Sequence, residues 1–285
     1  MNYLETMTVY AWTFPVVAVL AASLAFCGVH LAARQKNLLS LNMAQGAELG
    51  ALLSIAALYF AEHSESSGEM AISLTGAIGG AFLFGWLATL FQGKFGESGS
   101  NSLLTFWLIV FSGTQLLVAL HPSLEIHHSR VFVGDVSTLG FEECLFVTGF
   151  ALIVSLLLWL RRDSILRSTF SGEVLGYPMA ATRWRDEILF ILLTAVSTWA
   201  AGFLMTCAFL FIPTTVRSMV GVVGARKHIR ACVLLSFVAA PAGFALSLSH
   251  TGLPSVPIIC LTLAVVIYLS NLVLRKYRLA ETLTH

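Results

Sequence analysis

Residues 187–216 read EILFILLTAVSTWAAGFLMTCAFLFIPTTV, with one charged residue, Glu187, at the start and none after it. A helix that crosses a bilayer needs about 20 apolar residues, within a range of about 17–25. This stretch is too long for one ordinary crossing. Arg183 and Arg185 precede it, and Arg226, Lys227 and Arg230 follow it. Lys and Arg favour the cytoplasmic side of a membrane. Both ends therefore face inward, and the chain crosses an even number of times between them. The stretch is read as two short helices with a turn near Ala201 and Gly202; a re-entrant segment has the same parity. Gly202 supplies unusual backbone angles, and Pro213 weakens the second helix near its inner end.

The rest of the chain supports this reading. Of its 285 residues, 57% are hydrophobic and 11% are charged. Soluble domains carry about 25% charged residues, so a fold of this size in water would lack the charge to cover its surface. An ordinary soluble enzyme, a disordered chain and a coiled coil are excluded. A net charge of +1 offers no basic field for nucleic acid. Further spans fall near 9–33, 43–61, 70–92, 103–120, 144–160, 231–249 and 255–274. The leader MNYLETMTVYAW carries Glu5 and no Lys or Arg, the reverse of a signal peptide's basic start.

Arg34 and Lys36 place the end of the first span inside, and the acidic loop AEHSESSGE at 61–69 faces out. Lys94 faces in, residues 120–143 face out, and the five arginines between Arg161 and Arg185 face in. Arg275, Lys276 and Arg278 end the chain inside. Fifteen of the 16 Lys and Arg residues then lie inside, and Arg130 alone lies outside. The expected fold is all-α: a polytopic transmembrane helical bundle of about nine crossing segments, including the broken pair at 187–216. It forms a single domain over 1–285, with the N-terminus out and the C-terminus in.

Gly46/Gly50 and Gly76/Gly80 repeat at the four-residue spacing that lets helices approach closely in lipid. Gln92-Gly93-Lys94-Phe95 lacks the upstream glycine and the Ser/Thr of a phosphate-binding loop, so ATP hydrolysis would belong to another chain. The five cysteines, Cys27, Cys144, Cys207, Cys232 and Cys260, form no CxxC pair and read as small buried hydrophobes. No HExxH and no nucleophile–base pair appears in the spans, which argues against an enzyme. Glu48, placed near the inner end of the second span, is a functional candidate because an ionisable group inside a membrane is costly; the plainer role is an interfacial carboxylate.

On the outer side His121, Glu125, His127, His128 and Asp135 fall within one short segment. His63 lies among Glu62, Glu65 and Glu69, and His250 lies in the last outer loop. Imidazole and carboxylate suit zinc or manganese. The spacing is not that of a closed structural zinc site, so the expectation is a transient outer capture site or a solvated polar loop. The inner stretch 161–186 is long for so compact a chain and reads as a partner-docking segment, against the plainer role of a basic loop on anionic headgroups.

Several segments, in order along nearly the whole chain, match one family. GVHLAARQKNLLSLNMAQGAELG at 28–50 resembles that family's first inner loop, and RVFVGDV at 130–136 its outer Gly-Asp element, giving Gly134 and Asp135. STFSGEVLGYP at 168–178 resembles the loop that docks on an ATPase. FLMTCAFLFIPTTVR at 203–217 resembles an apolar run that ends in a Pro-Arg element, giving Ile212, Pro213, Thr215 and Arg217. LSHTGLPSVPIICL at 248–261 resembles the last loop, giving Leu253 and Pro254.

The chain thus resembles the membrane permeases of zinc/manganese ABC importers, related to the vitamin B12 and siderophore permeases. The resemblance implies docking of a cytoplasmic ATPase at Glu173, Gly176 and Pro178. It also implies a translocation path through Gln45, Glu48, Pro213 and Thr215. A second permease copy and an extracytoplasmic metal-binding protein complete the implied assembly, with zinc as cargo, or else manganese or iron. The chain departs from the family pattern in three places: Leu41 and Gln45 replace an Asp and a His, Gly252 replaces an Asp, and the docking loop differs around Ser171-Gly172-Glu173. Gln45 offers an amide oxygen where imidazole offers nitrogen. A permease for a chelate or non-metal cargo, and a subunit that has lost transport, are the rival readings.

Overall fold

The computed structural model describes residues 7–34, 36–60, 69–94, 99–167, 180–218, 225–249 and 254–283. The described residues are helical, with no strand among them. Among the described residues the fold is carried by ten helices: α1 (Thr13–Ala33), α2 (Asn37–Phe60), α3 (Glu69–Lys94), α4 (Gly99–Leu120), α5 (Glu125–Phe132), α6 (Phe141–Leu160), α7 (Ala180–Ala201), α8 (Phe203–Ser218), α9 (Ala225–Leu248) and α10 (Ser255–Leu283). Helices α1, α2, α3, α4, α6, α9 and α10 are long and apolar enough to cross a membrane. These seven are the seven unbroken spans expected from hydropathy. The long apolar stretch breaks where expected: α7 ends at Ala201 and α8 begins at Phe203.

Two boundaries differ from expectation. Helix α7 starts at Ala180, so the inner segment 161–186 gives its last seven residues to a helix of 22. Charge pairing is the reason. Asp186 lies 3.4 Å from Arg161, and Lys36 donates to Glu187 at 2.5 Å. Helix α2 starts at Asn37 rather than near residue 43, which moves Glu48 from the inner end to the middle of the helix.

The chain divides into two compact units. One comprises Met1–Val29, Val136–Leu152 and Ala208–His285; the other comprises His30–Asp135 and Ile153–Cys207. In the first, α9 packs along α10, and a Cβ on Gly243 would press on the Ile259 backbone. Gly28 lies against the Leu210 carbonyl with no room for a side chain. Phe14 and Tyr10 set their rings edge-on to Phe244, which is fully buried. Pro213 and Pro241 lie inside α8 and α9. Proline has no N–H, which leaves one carbonyl a turn earlier without its helical donor in each case. Cys232 donates its thiol to the Pro213 carbonyl at 3.3 Å.

The second unit is built on α2, which contacts α3, α4, α5 and α7. At the α2–α3 crossing Gly46 and Gly50 face Gly80 and Gly76, and a Cβ on any of the four would overlap atoms of the other helix. The sequence spacing therefore does mark a close crossing. Leu39 and Met43 of α2 form a core with Ala88 and Leu103, and Asn42 donates to the Leu103 carbonyl at 3.1 Å. Gly134 and Gly202 both take left-handed backbone angles, φ +82° and +88°, and meet backbone to backbone.

Candidate transport site

The second unit holds a polar cluster midway along α2. Glu48 of α2 is fully buried. Gln45, one turn earlier on the same face, donates its amide Nε2 to Glu48 Oε2 at 2.7 Å. The other carboxylate oxygen, Oε1, lies 3.2 Å from His128 Nε2. His128 comes from α5, the eight-residue helix in the segment expected to be an outer loop. Its ring stacks on Phe132 one turn along, and Phe132 stacks on Phe203 of α8. This column fixes the plane of the imidazole. Gln115 of α4 sets its amide nitrogen 3.2 Å from the same His128 Nε2. Three helices thus bring two amides, a carboxylate and an imidazole together inside apolar surroundings.

The neighbouring histidine turns the other way. His127 Nδ1 lies 3.7 Å from Glu69 Oε1 at the start of α3, and its Nε2 lies 3.2 Å from the Tyr59 hydroxyl near the end of α2. These side chains are partly exposed, in contrast to Glu48. Two consecutive residues of α5 therefore address two carboxylates, one buried and one accessible.

The five expected outer candidates do not form one group. His127 and His128 separate as described. His121 is half-buried after α4, Glu125 is exposed in the first turn of α5, and Asp135 is half-buried after Gly134. Among the described residues, no three His, Cys, Asp or Glu side chains come together to hold a metal ion. Pro213 and Thr215 lie in the other unit, on α8; Pro213 is buried, and Thr215 is exposed and donates to the Phe211 carbonyl at 2.8 Å. Glu173, Gly176 and Pro178 lie outside the described residues, as do His63, His250 and Gly252.

Sequence reading missed Gln115 and Tyr59, and it set His128 apart from Glu48. The usable signal for Gln115 was an amide in the uncharged second half of α4. It missed as well the ion pairs at the start of α7. There Asp186 is fully buried, and burial pushes its carboxyl above the usual range while the Arg161 and Arg34 guanidiniums pull it back. An acid whose folded-state pKa is raised stabilises the fold below its unfolded pKa, and that contribution is lost as pH rises through the raised value. Removing Arg161 leaves the ionised carboxylate with less compensation, a cost that protonation relieves. The variant Arg161→Gln is therefore expected to lose more thermal stability at pH 8 than at pH 5, read from melting curves in detergent across that range. An equal loss at both pH values would disprove the coupling.

No family model matches the sequence, and no curated protein matches it. Solved structures do match. PsaBC from Streptococcus pneumoniae in complex with Fab aligns with a TM-score of 0.74 at 15% identity, over 94% of this chain and 94% of that one. A second structure, an inward-facing conformation of a transporter assigned to the metal-chelate type of ABC transporters, aligns with a TM-score of 0.67 at 20% identity, over 97% of this chain and 90% of that one. The chain shares its fold with these two structures. At such identity the likeness speaks for the backbone, and cargo is argued from the residues of this chain.

Proposed function

We propose that this chain is the transmembrane permease subunit of an ABC importer for divalent metal ions, with zinc first and manganese or iron next. The observation that carries the reading is the fold likeness over nearly the full length of both chains. The buried Gln45–Glu48–His128 cluster supports an ionic cargo, since a carboxylate in the middle of a span is retained at a cost. The chain acts as a conduit and not as an enzyme. ATP hydrolysis belongs to a cytoplasmic ATPase subunit, which would dock at Glu173, Gly176 and Pro178.

An extracytoplasmic metal-binding protein would deliver the ion to the outer residues His121, Glu125, His127, His128 and Asp135, and a second copy of the permease would close the path. Gln45, Glu48, Pro213 and Thr215 are assigned to that path. The assembly sits in a bacterial cytoplasmic membrane, with the N-terminus outside and the C-terminus in the cytoplasm, and α7 and α8 supply the crossings beyond seven. A chelate cargo is the second reading, favoured by the metal-chelate type of the inward-facing neighbour and by Leu41 and Gln45.

Uptake of labelled zinc, manganese and iron, in competition and under metal limitation, tests the reading in cells with and without this chain. Loss of uptake of at least one ion on deletion is expected. Gly176→Arg, expressed at the wild-type level, is expected to reduce uptake to the deletion level by blocking ATPase docking. Unchanged uptake of all three ions on deletion would remove the metal reading and promote the chelate. Normal uptake by Gly176→Arg would remove the docking role.

A further inference from the structure

We propose that Glu48 and His128, assisted by the Gln45 amide oxygen, form a binding site for a divalent cation within the membrane-spanning part of this chain. The proposal rests on the permease reading and gives its cargo a defined stopping place. His128 thereby moves from the outer surface to the interior of the path.

The cluster is short of positive charge and short of donors. Glu48 is fully buried, yet its Oε1 accepts no hydrogen bond and meets only the His128 ring at 3.2 Å. Gln45 is fully buried too, and its Oε1 has no partner while its Nε2 serves Glu48. His128 Nε2 is contested: the Glu48 carboxylate asks it to donate, and the Gln115 amide nitrogen, also at 3.2 Å, asks it to accept. One ring nitrogen does not do both. Unsatisfied buried acceptors of this kind are uncommon and call for an explanation.

A cation between Glu48 and His128 supplies the partner that the carboxylate Oε1 lacks. It takes the Nε2 lone pair and the free carboxylate oxygen, and it offsets the buried charge. Rotation of the Gln45 amide then exchanges its nitrogen for its oxygen beside the ion. One imidazole with oxygen donors suits zinc or manganese better than calcium or magnesium. The stacking of His128 on Phe132 already orients the ring, as supporting groups do around bound metals.

The set is incomplete by the standard of a resident metal, since no third His, Cys, Asp or Glu joins it among the described residues. That suits a cargo, which must bind well enough to enter and weakly enough to leave. The half-exposed pair of His127 and Glu69 is the natural preceding contact, because His127 is the next residue along α5.

The test uses the full-length chain in lipid nanodiscs, titrated with Mn²⁺ by electron paramagnetic resonance and with Zn²⁺ in competition. Wild type is expected to bind one ion per chain. Glu48→Gln and His128→Gln are each expected to weaken binding about tenfold or more, as loss of a group that holds a metal does. Glu48→Asp keeps the charge and is expected to restore most of the affinity. Glu142→Gln, which removes an exposed carboxylate in the first turn of α6, is expected to leave it nearly unchanged. Melting curves identify any variant that does not fold; if Glu48→Gln is one, His128→Gln decides.

Wild-type affinity in both glutamine variants, or no binding by wild type, would overturn the site. Uptake in cells separates this outcome from failure of the permease reading. Zinc or manganese import that persists at the wild-type rate in Glu48→Gln removes the site and keeps the permease. No import attributable to the wild-type chain removes the permease reading whatever the nanodiscs bind.

Discussion

Gly202→Val is expected to abolish accumulation of the protein in the membrane. Gly202 has φ +88°, a region that costs an L-residue about 1–2 kcal/mol and a β-branched one more. A Cβ there would overlap the backbone of Gly134, which is itself left-handed. Neither backbone is free to retreat. Gly202 N–H donates to the Thr198 carbonyl at 3.0 Å, and the Gly202 carbonyl accepts from Thr206 N–H at 3.1 Å, so the break is bonded on both sides. Strain and overlap together exceed about 3 kcal/mol, a large part of the stability of an ordinary domain. Quantitative immunoblotting of membranes, with Gly149→Ala as a control in open space, measures the effect. Wild-type levels of Gly202→Val would show that the break between α7 and α8 tolerates another geometry.

Gly50→Leu is the second large effect. A Cβ at Gly50 would meet the Gly76 carbonyl oxygen and the Gly80 Cα, so a leucine forces the two helices apart along their whole contact. Helix association in lipid draws on close van der Waals packing and gains nothing from hiding apolar surface, so separation is not repaid. A fall in detergent melting temperature of about 10 °C or more is expected, in line with a loss of several kcal/mol. Gly79→Leu on α3, where nothing lies within 4 Å of the added carbon, is expected to melt within a few degrees of wild type. Equal melting of the two variants would exclude the crossing as a source of stability.

The parts of the fold that follow from local composition were legible in the sequence. The seven long helices announce themselves by uninterrupted hydropathy, and the break at Gly202 by excess length and one glycine. The start of α7 was hidden because Arg183, Arg185 and Asp186 read as a loop. Their helix is permitted by Arg161 and Lys36, and Lys36 is 151 positions from its partner.

The transport site was half legible. Gln45 and Glu48 share a helix face at three-residue spacing, which the sequence states outright. His128 was misplaced because a His-rich stretch among polar residues has the composition of solvated loop. The contacts of α5 with α2, α4 and α7 bring it to the buried carboxylate, and no local pattern encodes a contact 80 positions away.

The glycine crossing has a mechanical meaning as well. Helices parted by side chains slip past each other by changing rotamers, but where Gly46 and Gly50 meet Gly80 and Gly76 the contact runs backbone to backbone and offers no rotamer to change. Turning α2 about its axis would drive a neighbouring side chain into an α3 carbonyl, so the two are keyed together like splined shafts. Glu48 lies between Gly46 and Gly50 on the driving shaft, and Glu69 heads the other. Any stroke that re-aims the buried carboxylate must therefore swing the accessible one with it.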